Sequence, residues 1–220
     1  MIFFHIVLKE THIYKGDGHL RVMKAVIEHL EPKMYEWCIL EYSHISLRLG
    51  KENVIFTNVR KEDHHLIQEI GTVYEESIHD LAKKEGSEFS RLCLLDPKAE
   101  DDLIPLDINN FTHFVFGGIL GDHPMKGRTE KHFSTLKAEK RRLGDKQMST
   151  DTAVIVCHKI LDENQFFLNL EFQDGIEIQL DEGYSQVFPY RYLIEEGKLV
   201  FTPGLIELLE KEDVDDFGNE

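Results

Sequence analysis

The run Phe116-Gly-Gly-Ile-Leu-Gly-Asp-His-Pro124 closes an apolar segment with three glycines, a carboxylate and an imidazole. Gly117, Gly118 and Gly121 let a backbone pass close to a flat or crowded ligand, and they adopt positive φ without a side-chain penalty. Asp122 and His123 follow at once and can accept or relay a proton beside whatever lies there. The spacing is GGxxG rather than the GxGxxG of dinucleotide turns, and no P-loop lysine and hydroxyl follow. A tight turn with Asp122 as its capping residue is the plain structural alternative.

A second segment, Leu143-Gly-Asp-Lys-Gln-Met-Ser-Thr-Asp-Thr-Ala-Val154, breaks at Gly144 and then opens a helix. Ser149 or Thr150 suits the cap, and Ala153 begins the packed face. Amides at such a helix start donate to a carboxylate or a ribose hydroxyl. His64-His65 has no histidine one turn away and no nearby cysteine pair, so no metal is assigned.

These segments need strands and helices to hold them. Lys24–His29 is short and β-capable. Met34, Cys38, Tyr42, Ile45 and Leu49 recur at helical spacing, with Pro32 suiting the first helical position and Gly50 the stop. Asn53–Val59 and Arg91–Asp96 read as strands, 63–69 and 74–84 as helices, and 96–109 as an acidic loop. Asn110–Phe116 carries too many large apolar residues for a solvated face, which predicts a central parallel strand. A helix near 129–136, a basic run 137–144 and a helix 150–161 follow. Short strands at 165–170, 176–180, 186–193 and 198–201 then precede a final helical segment. Alternating strands and helices predict an α/β fold with a mainly parallel sheet flanked by helices.

The chain has 25 Lys and Arg against 41 Asp and Glu, a net charge of −16. That balance opposes phosphate backbones, so a nucleic-acid partner is not expected; it favours basic protein partners. The basic run 137–144 is the exception, read as a solvated helix face or as cations paired with carboxylates. Residues 212–220 read as an acidic disordered tail, and residues 1–22 as an extension ahead of a domain spanning 23–211, with Met23 an alternative start. The first ten residues lack a basic leader and cleavage site, no run is long enough to span a membrane, and the three cysteines form no framework; a cytoplasmic location is expected.

Taken together, the GGILGDHP and LG…QMSTDTAV segments resemble the SPOUT (α/β-knot) methyltransferases, and the likeness runs from about Met23 to about residue 205. Within that family the resemblance is to the members that methylate arginine on a small-subunit ribosomal protein. It implies a C-terminal trefoil knot and S-adenosylmethionine as cofactor. It also implies that Gly117, Gly118, Ile119, Leu120, Gly121 and Asp122, with Leu143, Gly144, Gln147, Met148, Ser149, Thr150 and Ala153, line the cofactor site. The implied partner is a basic ribosomal protein, and the protein is expected as a monomer or weak dimer.

Arginine is a difficult methyl acceptor because its guanidinium stays protonated, with a pKa of roughly 12.5 or above. A carboxylate must orient it and accept or stabilise its proton. Asp122 is the first candidate, followed by Glu36 and Glu41 on the helix that bears Trp37; Glu31 is weaker. Trp37 offers a face to the arginine stem or head. Arg128 is expected to brace the cofactor carboxylate or to order Asp122. RNA methyltransferase and non-catalytic binding module remain the alternatives.

Overall fold

The computed structural model describes residues 21–120, 128–181 and 184–217. Six parallel strands form one sheet in the order β3-β2-β1-β5-β4-β6. They are β1 (Ala25–His29), β2 (Val54–Thr57), β3 (Thr72–Val73), β4 (Leu92–Leu95), β5 (His113–Gly118) and β6 (Glu139–Arg141). β5 lies between β1 and β4, as its large apolar residues predict, and its residues up to Phe116 are buried.

Alternation along the strands sends side chains to two apolar layers. Ala25, Ile27, Phe56, Phe114 and Phe116 face α1 (Glu36–Leu49) and α5 (Thr150–Leu161). Val26, Ile55, Leu92, Leu94 and Val115 face α3 (Ile78–Lys83) and Phe133 of α4 (Arg128–Phe133). Removing a buried phenylalanine such as Phe114 from a layer of this kind costs about 3–5 kcal/mol. The one-turn α2 (His64–Ile67) lies between β2 and β3. No helix among the described residues is long and apolar enough to cross a membrane.

The last third forms a separate antiparallel sheet, β7-β8-β9, from Glu171–Asp181, Tyr184–Glu195 and Lys198–Leu199. α6 (Leu205–Phe217) packs Leu205, Leu208 and Leu209 against Phe188, Tyr190 and Tyr192 of β8.

Several expectations need correction. Pro32 lies in a bend, and α1 starts only at Glu36, because residues 31–33 are spent on the turn out of β1. The helix expected over 74–84 is the six residues of α3, capped by Ser77. Phe167–Asn169 is a 3₁₀ turn rather than a strand, with the Phe167 ring against Phe172. The basic run contributes the edge strand β6, not a helix face. Its cations meet the acidic loop: Lys140 Nζ to Asp96 at 2.8 Å, Arg141 Nε to Asp107 at 3.1 Å and Arg142 Nε to Asp102 at 2.6 Å. The tail is partly helical, since α6 continues through Phe217.

Candidate active site

The ends of β5 and the start of α5 meet at one cleft. Thr150 Oγ1 reaches the carbonyls of Gly117 and Ile119 at 3.3 and 3.4 Å, which ties the helix start to the glycine segment. The loop before α5 is fixed at its other side by the Arg191 amide, which donates to the Gln147 carbonyl at 2.8 Å. The cleft between these elements has a volume of about 510 Å³, within the roughly 300–1,000 Å³ usual for small-ligand sites. Gly117, Ile119 and Leu120 line one side; Leu143, Gly144, Gln147, Met148, Ser149, Thr150 and Ala153 line the other. Trp37 and Glu41 of α1 and Tyr190 and Tyr192 of β8 complete the lining.

Gly118 is not on the cleft surface. A Cβ there would lie 2.3 Å from Tyr42 Oη and 2.8 Å from Ile27 Cγ2, so the glycine is required by the packing of α1 on the sheet. Gly144 is likewise held by protein: its φ is +72°, and a Cβ would meet the Phe167 ring at 2.9 Å. Ser149 occupies the N-cap position of α5, yet its hydroxyl donates to Asp151 Oδ1 at 2.7 Å and lies 2.8 Å from Thr152 Oγ1, while the Thr152 amide donates to Asp151 Oδ1 at 2.8 Å. Gly121, Asp122 and His123 lie outside the described residues.

Of the acceptor-side candidates, Glu36 sits in the exposed first turn of α1 and does not line the cleft. Glu41 does, at 5% exposure, and Trp37 Nε1 donates to its Oε1 at 3.0 Å. Trp37 itself leans on Phe188 of β8 with ring centroids 6.0 Å apart. Arg128 lines the cleft and pairs with Glu31 at 3.1 Å. Glu31 also accepts the Leu120 amide at 3.0 Å, so one nearly buried carboxylate holds the residues on both sides of segment 121–127.

Behind Glu41 lies a second buried carboxylate. Asp151 Oδ2 accepts His44 Nδ1 at 2.8 Å and Thr202 Oγ1 at 2.7 Å. Burial alone would raise its pKa, but bonds from His44, Ser149 and Thr202 outweigh that and hold it below the usual carboxylate range. Glu41 goes the other way. Its burial, and then the charge of Asp151, push its pKa well up despite the bonds from Trp37 and Thr150. The pKa values of two neighbouring carboxylates are thus shifted in opposite directions, Asp151 down and Glu41 up, a pattern found where acid–base work is divided.

A family model described as "Protein arginine N-methyltransferase SFM1-like" matches residues 24–216. The chain belongs to this family. It is 38% identical over 208 residues to the Saccharomyces cerevisiae protein arginine N-methyltransferase SFM1, covering 86% of this chain and 95% of that one. Among solved structures, yeast SFM1 complexed with SAM superposes with a TM-score of 0.79 at 34% identity, covering 89% of this chain and 93% of the other. The same yeast enzyme with SAH gives 0.77, covering 84% and 94%. The dual-specific Trm10 of Thermococcus kodakaraensis, at 18% identity and a TM-score of 0.51, shares the fold alone, over 66% of this chain and 95% of that one. In this SFM1-like chain the sequence pattern locates the glycine and helix-start segments but does not separate Glu41 from Glu36. The four-residue step from Trp37 to Glu41 is the available signal, since it puts both on one helix face.

Proposed function

We propose that this chain is an S-adenosylmethionine-dependent protein arginine N-methyltransferase acting on a basic protein, specifically one of the small ribosomal subunit. The observation that carries this reading is the single cleft in which the glycine segment, the start of α5, the partly buried Trp37 and the buried Glu41 meet. The residues fit the cofactor. Leu120, Leu143, Met148 and Ala153 supply apolar surface for a flat base, while the backbone of the two segments supplies polar groups within the same cleft. When bound, S-adenosylmethionine supplies a methyl group on a sulfonium, which needs alignment more than activation.

The chain's own residues divide the rest of the work. Gly117, Ile119, Leu120 and the 143–153 segment hold and orient the donor. Trp37 packs along the arginine stem, and Arg128, held by Glu31, steadies the segment that carries Gly121 and Asp122. The family resemblance assigns a second carboxylate, Asp122, to orienting the guanidinium; it lies outside the described residues. The acidic body draws a basic substrate toward the cleft.

RNA is the less favoured substrate because Lys140, Arg141 and Arg142 each face a carboxylate of the acidic loop. The test is transfer of label from radiolabelled cofactor to purified small-subunit proteins and to cell extract. Label that survives ribonuclease and is lost to protease, with methylarginine recovered on hydrolysis, supports the proposal. Label lost to ribonuclease would move the assignment to RNA, and no transfer at all would leave a binding module.

A further inference from the structure

We propose that Glu41 is the residue that receives the substrate guanidinium and takes the proton released by methyl transfer, an inference that rests on the arginine methyltransferase reading above. The carboxyl lies on the cleft wall at 5% exposure, and its Oε1 is pinned by Trp37 Nε1 at 3.0 Å. Both side chains stand on the same face of α1, so an arginine passing along the indole ends at the carboxyl.

The groups around Glu41 determine its state. On its own helix these are Trp37, Cys38 and Tyr42. α5 contributes Thr150 and Asp151, the latter held ionised by His44, Ser149 and Thr202. β8 contributes Tyr192, whose phenol is itself pushed up by burial and by these carboxylates. Among the described residues, the charge that bears on Glu41 is the buried anion Asp151, not a lysine or arginine. A second negative charge beside Asp151 is therefore unfavourable until a cation enters, and burial, then Asp151, shift Glu41 toward its neutral form.

Arginine supplies that cation. On binding, Glu41 gives its proton to solvent and pairs with the guanidinium. In the transfer, a guanidine nitrogen forms a bond to the methyl carbon as the sulfur–carbon bond breaks and its electron pair goes to sulfur. The proton lost from that nitrogen passes to Glu41. The methylated guanidinium keeps its single positive charge, the sulfonium becomes a thioether, and Glu41 is neutral again. The one proton made per turnover therefore appears in solution at the binding step, and the neutral carboxyl weakens the hold on product.

Difference infrared spectroscopy on the cofactor-loaded protein tests this, with N-acetylarginine amide as probe and N-acetylcitrulline amide as control. At neutral pH a buried carboxylic-acid carbonyl band is expected, absent from Glu41→Gln. The arginine probe should abolish it and the citrulline control should not. Glu41→Gln should keep cofactor affinity within about twofold and lose roughly 10²–10⁴ in turnover, the range for a general base. Glu41→Asp should regain part of that activity. No such band in the parent, a band unmoved by the arginine probe, or Glu41→Gln turning over like the parent would each overturn the assignment. A parent that transfers methyl to arginine yet shows one of these results refutes only the role of Glu41. A parent that transfers none refutes the wider reading.

Discussion

Replacing Gly118 by alanine separates two reasons for a glycine at the end of β5. The new Cβ would sit 2.3 Å from Tyr42 Oη, whereas such contacts essentially never fall under 3.0 Å, so the phenol must retreat by at least 0.7 Å. Tyr42 has little room to do so. It is 1% exposed, stacks on Phe56 at 4.9 Å and shares a hydrogen bond with His29 Nδ1 at 2.9 Å. Overpacking of this kind costs about 1–3 kcal/mol, and with crowding atoms on two sides the upper half of that range is expected. For a chain of this size the melting temperature should fall by about 4–12 °C. Tyr42→Phe alone removes the crowding oxygen and one hydrogen bond, for roughly 1 kcal/mol. The double variant should therefore lose about 1–2 kcal/mol less than the sum of the singles, the signature of a direct contact in a double-mutant cycle. Ile27 Cγ2, 2.8 Å from the added carbon, keeps the rescue incomplete. Urea unfolding of the four proteins gives the energies, and calorimetry gives cofactor affinity, which should be unchanged in the folded single variant. A Gly118→Ala protein that melts like the parent but fails to bind cofactor would refute the reasoning, because the ligand and not Tyr42 would then demand the glycine.

Glu31→Gln should weaken the clamp that joins the Leu120 amide to Arg128; faster hydrogen exchange at Leu120 and a several-fold loss of cofactor affinity are expected, and unchanged exchange would count against the clamp. Asp122→Asn should retain cofactor and lose turnover, measured with the labelled assay; near-normal turnover would leave Glu41 as the working carboxylate. Glu195 is held at about 2 by its bonds to Arg48 and then Lys159, against an ordinary 4.5. Because the folded value is the lower one, its stabilisation is complete above 4.5 and is lost as pH falls toward 2. Glu195→Gln should accordingly cost roughly 1–2 kcal/mol near neutrality, discounted for partial solvent screening, and the deficit should vanish in acid denaturation curves by about pH 2.

The parts of the fold that can be read in advance are those where one local signal dominates. β5 announces itself through Phe114, Val115 and Phe116, which only a strand covered on both faces can bury together. α5 is legible from its N-cap residues and its apolar period. β6 is not, because Glu139-Lys-Arg141 has no apolar alternation; its strand state comes from pairing with β4 and from the carboxylates of the acidic loop. Residues 165–170 fail the opposite way, since a short apolar run does not distinguish a strand from a turn whose rings pack locally. In the cleft, the backbone-rich donor side follows from glycine and cap spacing. The acceptor side does not, because Glu36 and Glu41 lie about 140° apart around the helix and only tertiary packing determines which of them is covered.

The wall formed by β8 and α6 belongs to a sheet distinct from the six-stranded one that presents the glycine and helix-start segments. The two halves of the cleft therefore rest on different sheets, and they are joined where the Arg191 amide holds Gln147, where Leu193 of β8 enters the larger core, and where Trp37 and Leu40 of α1 pack beside β8. A hairpin and terminal helix grafted from a relative to redirect which protein is modified must therefore keep the Arg191 and Leu193 anchors, or the nucleoside half of the cleft moves with the graft.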